Sequence, residues 1–366
     1  MLRVENKRLS MRSTLRDIAG LAGVDQSTVS RVLRADPSLT IREETRVRIA
    51  TAARQLNYAP NSIARSLKLR HSFTLGVLIP DIANPVFPEI IKGAEDAARE
   101  QDYLILLTHV DDQSFEERVL RGLIQQGRVD GLLLATAQIR DTVIAQIRTL
   151  HGPLVLVNRR ADGSGCYVIT DDVTGAQLAT DHVTQLGHRR IAHLAGPLFT
   201  DTALRRLQGY RESLRKSGLD YDGALVEECG FTIEQGARGM RRLLERSVLF
   251  TAVFAANLQV AIGAMVVLRD AGLRVPTDVS VIGFHDAPLA QMVTPPLTVV
   301  KFPLYDMGYR ATKALLNLIS GSTETVQEVL PPLGLVQRGS TAPPPTAHLA
   351  RTRTGPRAAE NPGSGP

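Results

Sequence analysis

The residues best suited to recognition chemistry lie together in Asp25–Leu33, DQSTVSRVL. Gln26, Ser27, Thr28, Ser30 and Arg31 supply short hydrogen-bonding groups and one guanidinium, while Val29, Val32 and Leu33 recur at helical spacing. The pattern predicts a helix whose apolar side packs inward and whose polar side is free. A face kept only for solubility carries charges. This one carries donors, acceptors and an arginine, the inventory that reads base edges in a DNA groove. Glutamine offers the donor and acceptor that adenine matches, and an arginine fork matches O6 and N7 of guanine. Thr14, Thr28 and Ser30 can donate to phosphates and set register, although Thr14 and Ser30 serve equally as caps or solvated helix residues.

Three helices must position that face. In residues 14–33, TLRDIAGLAGVDQSTVSRVL, Thr14 caps the first helix and Asp17 suits its positive end. Ile18, Ala19 and Ala22 form its apolar side, Gly23 ends it, Val24 plugs the turn, and Asp25 caps the second helix. Thr40 and Glu43 read as a capping box for a third helix, with Val47, Ile49, Ala50, Ala53 and Leu56 inward. LNYAPN breaks that helix at Pro60, and residues 61–69, NSIARSLKL, predict one more short helix with Ile63, Ala64 and Leu67 on one side. Charge follows the same division. Residues 1–70 hold 14 of the 43 Lys/Arg but 6 of the 37 Asp/Glu, which leaves the remainder near neutral. A basic head on a neutral body fits a phosphate-binding module attached to a soluble core.

From Phe73 the period changes. Short apolar runs (FTLGVLIPD, YLILLTHV, DGLLLAT, PLVLVNR) alternate with helical ones, and a second series (CYVITDD, RRIAHLAG, ALVEECG, TAVFAA, VSVIGFHD) does the same. Uniformly apolar strands alternating with helices predict parallel sheets covered on both faces, hence two doubly wound α/β lobes with a ligand cleft at the strand carboxyl ends. Residues 247–268 carry no charge, yet Asn257 and Gln259 interrupt them, and a buried strand followed by a helix explains the run better than a membrane span. Residues 1–10 hold no apolar signal core and nothing structural, so Met11 is a candidate start. The tail from about Thr341 reads as disordered.

Enzyme signatures are missing. There is no P-loop, no GxSxG, no dinucleotide glycine fingerprint and no paired metal ligands at helical spacing. His182, His188 and His193 are the nearest approach to a metal cluster, but a helix-end cap for His188 and a strand position for His193 favour structural roles. Cys166 and Cys229 lie far apart, consistent with free buried thiols in a reducing cytoplasm. No cofactor, catalytic residue or metal is expected.

The order of motifs carries a resemblance. TLRDIAGLAGVDQSTVSRVL and LNYAPNSIARSLKL, followed by GVLIPDIANPVF, VDGLLL, LGHRRIAHLAGP, RRLQGY, GLRVPTDVSVIGF and PPLTVV, resemble the lactose/galactose repressor family of bacterial transcription regulators over residues 14–340. The resemblance implies an N-terminal helix-turn-helix head (14–60), a hinge helix (61–70) and a periplasmic-binding-protein-like effector core (71–340). In the core, one lobe spans about 71–170 plus 303–325, and the other 171–302 plus 326–340. Residues 1–13 and 341–366 are extensions. It also implies a cytoplasmic, nucleoid-associated homodimer on a pseudopalindromic double-stranded operator, a small effector such as a sugar, sugar acid or sugar phosphate, and no membrane partner.

Residue by residue, the resemblance assigns Gln26 and Ser27 to base edges in the major groove and Arg31, on the same helix, to guanine or phosphate. Asn57 and Tyr58 join the DNA-contacting set, Leu67 is the minor-groove wedge, Ala64 packs the paired hinges, and Lys68 assists at the same step. Arg206 matches the cleft arginine, with Arg205 and Arg211 read as surface residues, and Asn257 matches a ligand-binding position at a strand end. Asp81, Asn84 and Phe87 occupy the loop after the first core strand, where Asn84-Pro85 can equally start a helix. Asn158 and Thr170 face the same region. Two departures stand out: Leu258 replaces a common aspartate, and Phe284-His285-Asp286 replaces GYD or GFD. His285 beside Arg206 would suit an anionic ligand, or His285 caps its strand and Asp286 makes the contact. A periplasmic sugar-binding protein and a sugar-acting enzyme are the alternatives, the first opposed by the basic head and the second by the absent motifs.

Overall fold

The computed structural model describes residues 13–34, 36, 38–58, 71–110, 122–136, 152–161, 163 and 165–345. The hinge expected over 61–70, with Ala64, Leu67 and Lys68, lies outside them. The described chain divides into a head ending at His71 and a core beginning at Ser72.

In the head, α1 (Leu15–Ala22), α2 (Gln26–Leu33) and α3 (Glu43–Gln55) enclose Ile18, Ala19, Ala22, Val29, Val32, Ile49 and Ala52. The capping logic of the first two helices holds. Thr14 and Asp17 form a reciprocal capping box, Gly23 takes the left-handed conformation at φ 65°, and Asp25 accepts from the Ser27 amide. The third helix differs. It begins at Glu43 with Arg42 at the cap and no side-chain cap bond, so Thr40 stands too far ahead of the first turn to form a box. Leu33 and Val47, expected inward, are 36% and 53% exposed. Leu39 and Ile41, from the connection before α3, pack against the core instead.

The core contains two six-stranded sheets. The first lobe holds β1 (Thr74–Ile79), α4 (Val86–Arg99), β2 (Leu104–His109), β3 (Gly131–Leu134), β4 (Leu154–Val157) and β5 (Cys166–Thr170). The chain then crosses into α5 (Asp172–Gln185), β6 (Ile191–Ala195), α6 (Asp201–Lys216), β7 (Val226–Glu228), α7 (Ile233–Glu245), β8 (Ala252–Ala255), α8 (Leu258–Asp270), β9 (Ser280–Phe284), α9 (Leu289–Met292) and β10 (Thr298–Lys301). It returns through α10 (Leu304–Ile319) and β11 (Gln327–Leu330) and ends in β12 (Gly334–Val336). Strand order is β11-β5-β4-β3-β1-β2 in one sheet and β12-β10-β9-β8-β6-β7 in the other, all parallel except β10 with β12. Strands buried on both faces explain the unbroken apolar runs of β1, β3, β8 and β9, whereas the edge strand β2 leaves Leu104 and Leu106 exposed.

Two boundaries shift from expectation. β11 pairs in parallel with β5, so it belongs to the first lobe, whereas the sequence assigned 326–340 wholly to the second. The chain is still bonded to the core at Ala342, and residues 346–366 of the expected tail lie outside the described residues. Ser340 and Thr341 are buried, the Ala342 amide donates to Ser280 Oγ at 3.0 Å, and its carbonyl meets His188 Nε2 at 2.8 Å. The uncharged run resolves into β8 and α8, and no described helix is long and apolar enough to cross a membrane.

Backbone contact between α4 and α10 stabilises the first lobe. A Cβ on Gly308 would fall 2.0 Å from the Ile90 carbonyl oxygen, and one on Gly93 2.0 Å from that of Tyr305. Gly308→Ala should therefore push the helices apart and cost about 1–3 kcal/mol. Urea denaturation should show a lower midpoint, and an unchanged midpoint would mean the helices can separate freely.

Candidate functional site

The polar side of α2 faces outward, as its pattern predicts. Gln26, Ser27 and Arg31 are exposed, and Thr28 and Ser30 half-buried, around a helix fixed from beneath by Val29 and Val32. Arg31 does not hang free. Its Nε donates to Asp36 Oδ2 at 2.8 Å and its Nη2 to Ser38 Oγ at 3.0 Å. Asp36 Oδ1 in turn accepts from the Ser38 amide at 2.9 Å and hydroxyl at 2.7 Å. These bonds, that from Ser38 first, hold the Asp36 carboxyl down at about 2, so it is anionic throughout the neutral range. Asn57 is exposed at φ 50°, whereas Tyr58 packs its ring against the head core.

In the core, the carboxyl ends of the two sheets face each other. Gln259, in the first turn of α8, donates to the Ala83 carbonyl of the other lobe at 3.3 Å, and Arg159 lies over the Phe231 ring at 5.5 Å. Several buried polar atoms without a hydrogen-bond partner in the chain lie at these strand ends, Asn158 Oδ1 after β4, Thr170 Oγ1 at the end of β5, Gln259 Oε1 after β8, and both ring nitrogens of His285 after β9, while Thr180 Oγ1 and His193 Nε2 lie away from them, in α5 and in β6. Buried polar groups are nearly always satisfied, so a cluster that is not marks a place built to receive polar groups from outside the chain. Asn158 and His285 also hold left-handed backbone, at φ 69° and 70°. Such conformations concentrate at ligand sites because only a rigid surround sustains them.

A charged lattice braces one side of the cleft. Asp172 is fully buried; its Oδ1 accepts from Arg206 Nε at 3.1 Å, and it forms ion pairs with Arg206 Nη2, 3.1 Å from Oδ1, and with Arg205 Nη1, 2.7 Å from Oδ2. Arg206 also donates Nη1 to the Ala256 carbonyl at 2.7 Å, and its face covers the Phe284 ring at 4.5 Å. Arg205 pairs with Asp201 at 2.9 Å, and Asp201 takes Arg160 from the first lobe at 3.2 Å. Arg205, expected on the surface, is therefore buried and bonded to both lobes. Burial, reinforced by the Arg206 charge, pushes the His285 imidazole well below its ordinary value, so it stays neutral, with one donor and one acceptor.

Other residues expected at the effector already have partners or packing within the chain. Asn257 caps α8, accepting from the Val260 amide at 2.8 Å, and its Nδ2 donates to the Phe231 carbonyl at 2.9 Å. Asp286 pairs with Arg338 at 2.7 Å. Asp81 and Asn84 accept from the amides of Ala83 and Val86, shaping the turn into α4, and Phe87 is buried in the core. His188 bridges Thr251 and Ala342, His182 meets Thr341, and His193 stacks between Tyr210 and Phe254 while bonding the Phe254 carbonyl. Burial raises the Cys229 thiol to about 11, which leaves it unreactive.

The chain is similar to known proteins. Residues 14–61 match the model of bacterial regulatory proteins of the lacI family, and residues 180–341 that of the periplasmic binding protein-like domain. The ribose operon repressor of Escherichia coli (strain K12) is 36% identical over 335 residues, covering 90% of this chain and 99% of that protein. The chain belongs to the lacI family. Among solved structures, the lac repressor dimer bound to operator and the anti-inducer ONPF aligns with TM-score 0.79 at 28% identity, covering 91% of this chain and all of that one. A lacI-family transcriptional regulator from Enterococcus faecium with bound ribose aligns with TM-score 0.66 at 29% identity, covering 74% and 99%. This lacI-family chain is a DNA-binding transcriptional regulator, and the regulator reading prevails over the enzyme reading.

Three residues around these strand ends escape sequence reasoning. Gln259 is visible in the sequence only as an interruption of an apolar run, though a polar residue bounded by buried neighbours is itself a signal. Asp172 and Arg205 have no local signal, because their partnership exists only once α5 and α6 pack together.

Proposed function

We propose that this chain is a repressor that binds a pseudopalindromic operator as a homodimer in the cytoplasm, on the nucleoid, and is switched by a neutral, hydroxyl-rich effector of the sugar class held between its lobes. The observation that carries the effector reading is the set of unpartnered buried polar atoms on Asn158, Thr170, Gln259 and His285 at the facing strand ends. Amide, hydroxyl and neutral imidazole groups pair with sugar hydroxyls. The nearby charges of Arg205 and Arg206 are already engaged by Asp172 and Asp201, which favours a neutral ligand over a sugar acid or phosphate. The ribose-bound relative supports the same class. The operator-bound lac repressor dimer supports the homodimer and the operator.

On DNA, Gln26, Ser27 and Arg31 read base edges, Thr14, Thr28, Ser30 and Asn57 contact phosphates, and Leu67, with Ala64 and Lys68, enters the minor groove. Closure of the lobes around the effector changes the spacing of the two hinges and thereby operator affinity.

Thr170→Val tests the cleft. It removes a hydroxyl that has no partner in the chain, so thermal stability without ligand should not fall. Affinity for the sugar that raises the melting temperature in a panel of neutral sugars, sugar acids and sugar phosphates should drop about 3- to 10-fold. Equal affinity would remove Thr170 from the site, and stabilisation by the anionic compounds alone would overturn the neutral-ligand reading.

A further inference from the structure

We propose that Asp36 and Ser38 are positioning residues for Arg31, clamping its guanidinium so that its outer edge reads guanine in the operator. The inference rests on the reading that Arg31 meets base edges.

A guanidinium has two hydrogen-bonding edges, the side formed by Nε and Nη2 and the end formed by Nη1 and Nη2. The inner side is filled, Nε by Asp36 Oδ2 at 2.8 Å and Nη2 by Ser38 Oγ at 3.0 Å. That leaves Nη1 and the outer hydrogen of Nη2, the pair whose spacing matches O6 and N7 of guanine. The clamp is itself immobilised. Asp36 Oδ1 is tied to the Ser38 amide and hydroxyl, and the Asp36 amide donates to the Arg31 carbonyl at 3.1 Å. The loop after the recognition helix thus closes back on the side chain that the helix presents. An unrestrained arginine loses several rotors on binding and can swing to a phosphate. A clamped one has lost that freedom before DNA arrives, which sharpens discrimination between base pairs.

The arrangement has a second consequence of opposite sign. Asp36 places a negative charge beside the phosphates, where it weakens sequence-independent attraction. Removing the clamp should therefore blur base reading and strengthen non-specific binding together, a combination that loss of a merely stabilising contact does not produce.

The experiment uses the full-length protein with an operator selected from random duplexes by the wild type. Affinities are measured at one fixed salt concentration for that operator, for each single base-pair change in it, and for an unrelated duplex. Arg31→Ala should erase the preference for one G·C pair per half-site, a loss of about 10- to 100-fold. Asp36→Ala should cut discrimination at that same pair several-fold while raising affinity for the unrelated duplex. Asp36→Asn, which keeps an oxygen facing Arg31 without the charge, should retain intermediate discrimination yet bind the unrelated duplex as tightly as Asp36→Ala. Ser38→Ala should lose discrimination with little change in non-specific binding. If Arg31→Ala keeps the wild-type preference at every base pair, the reading of Arg31 fails. If Arg31→Ala erases the preference while Asp36→Ala and Ser38→Ala keep it, or if Asp36→Ala strengthens all duplexes equally, the clamp is overturned and the reading of Arg31 stands.

Discussion

Asp172→Asn should lower the stability of the core by about 3–5 kcal/mol, the cost of removing one partner from a buried ion pair. Asp172 is fully buried and is shared by two guanidiniums, each of them also nearly inaccessible to water. Asparagine preserves shape but not charge. Arg206 would keep only the Ala256 carbonyl and the Phe284 ring, and Arg205 only Asp201 and backbone carbonyls. A buried cation without its counter-ion is what the fold cannot tolerate, more than the loss of any single hydrogen bond. The change should appear as a lower urea midpoint with an unchanged slope, and as a melting temperature lower by roughly 6–20 °C. Removing the stranded cation as well, in Asp172→Asn with Arg206→Met, should recover part of the loss, because residues in one network do not act additively. A single variant within 1 kcal/mol of the wild type would mean that water reaches the arginines.

Acid should unfold the core earlier than its carboxylates require. Burial is the leading cause that depresses His182, His188, His193 and His285, the third to about 4. Above the ordinary histidine value of 6.5, both folded and unfolded chains are neutral at these positions and nothing is gained or lost. As pH falls below it, the unfolded chain takes up protons that the folded chain refuses, so stability falls with pH until the folded value is reached. A fully buried histidine then costs about 1.4 kcal/mol per pH unit, and His193 alone about 2 kcal/mol by pH 5. Urea denaturation at pH 7.5 and pH 5.0 should show the loss. His193→Asn, whose amide can still donate to the Phe254 carbonyl, should flatten the dependence by its own share. A stability that stays level between those pH values would show that these imidazoles are protonated in the folded chain.

The recognition head was legible because its signals are local. A capping threonine, a left-handed glycine and a valine pair at helical spacing act within a few residues of one another, and α1 and α2 follow them closely. Where the head departed from expectation, at Thr40, Leu33 and Val47, the deciding neighbours were Leu39 and Ile41, whose packing no helical period encodes. The alternation of apolar runs likewise announced two parallel sheets, but it did not place β11, because a four-residue strand joins whichever edge the returning chain reaches.

By itself the sequence determined the class of the protein and its output. Spacing and side-chain type specify a polar recognition face on a basic head and, with the order of motifs, the lacI-family plan. The tertiary structure alone decided the input. It gave Asn257 and Asp286 partners within the chain, drew Arg205 inside, and left polar atoms of Asn158, Thr170, Gln259 and His285, at four different strand ends, without a hydrogen-bond partner in the chain. Helix faces and caps are written in short-range periodicity. A ligand site assembled from residues a hundred positions apart exists only after packing fixes which polar atoms meet a partner and which are left to bind something else.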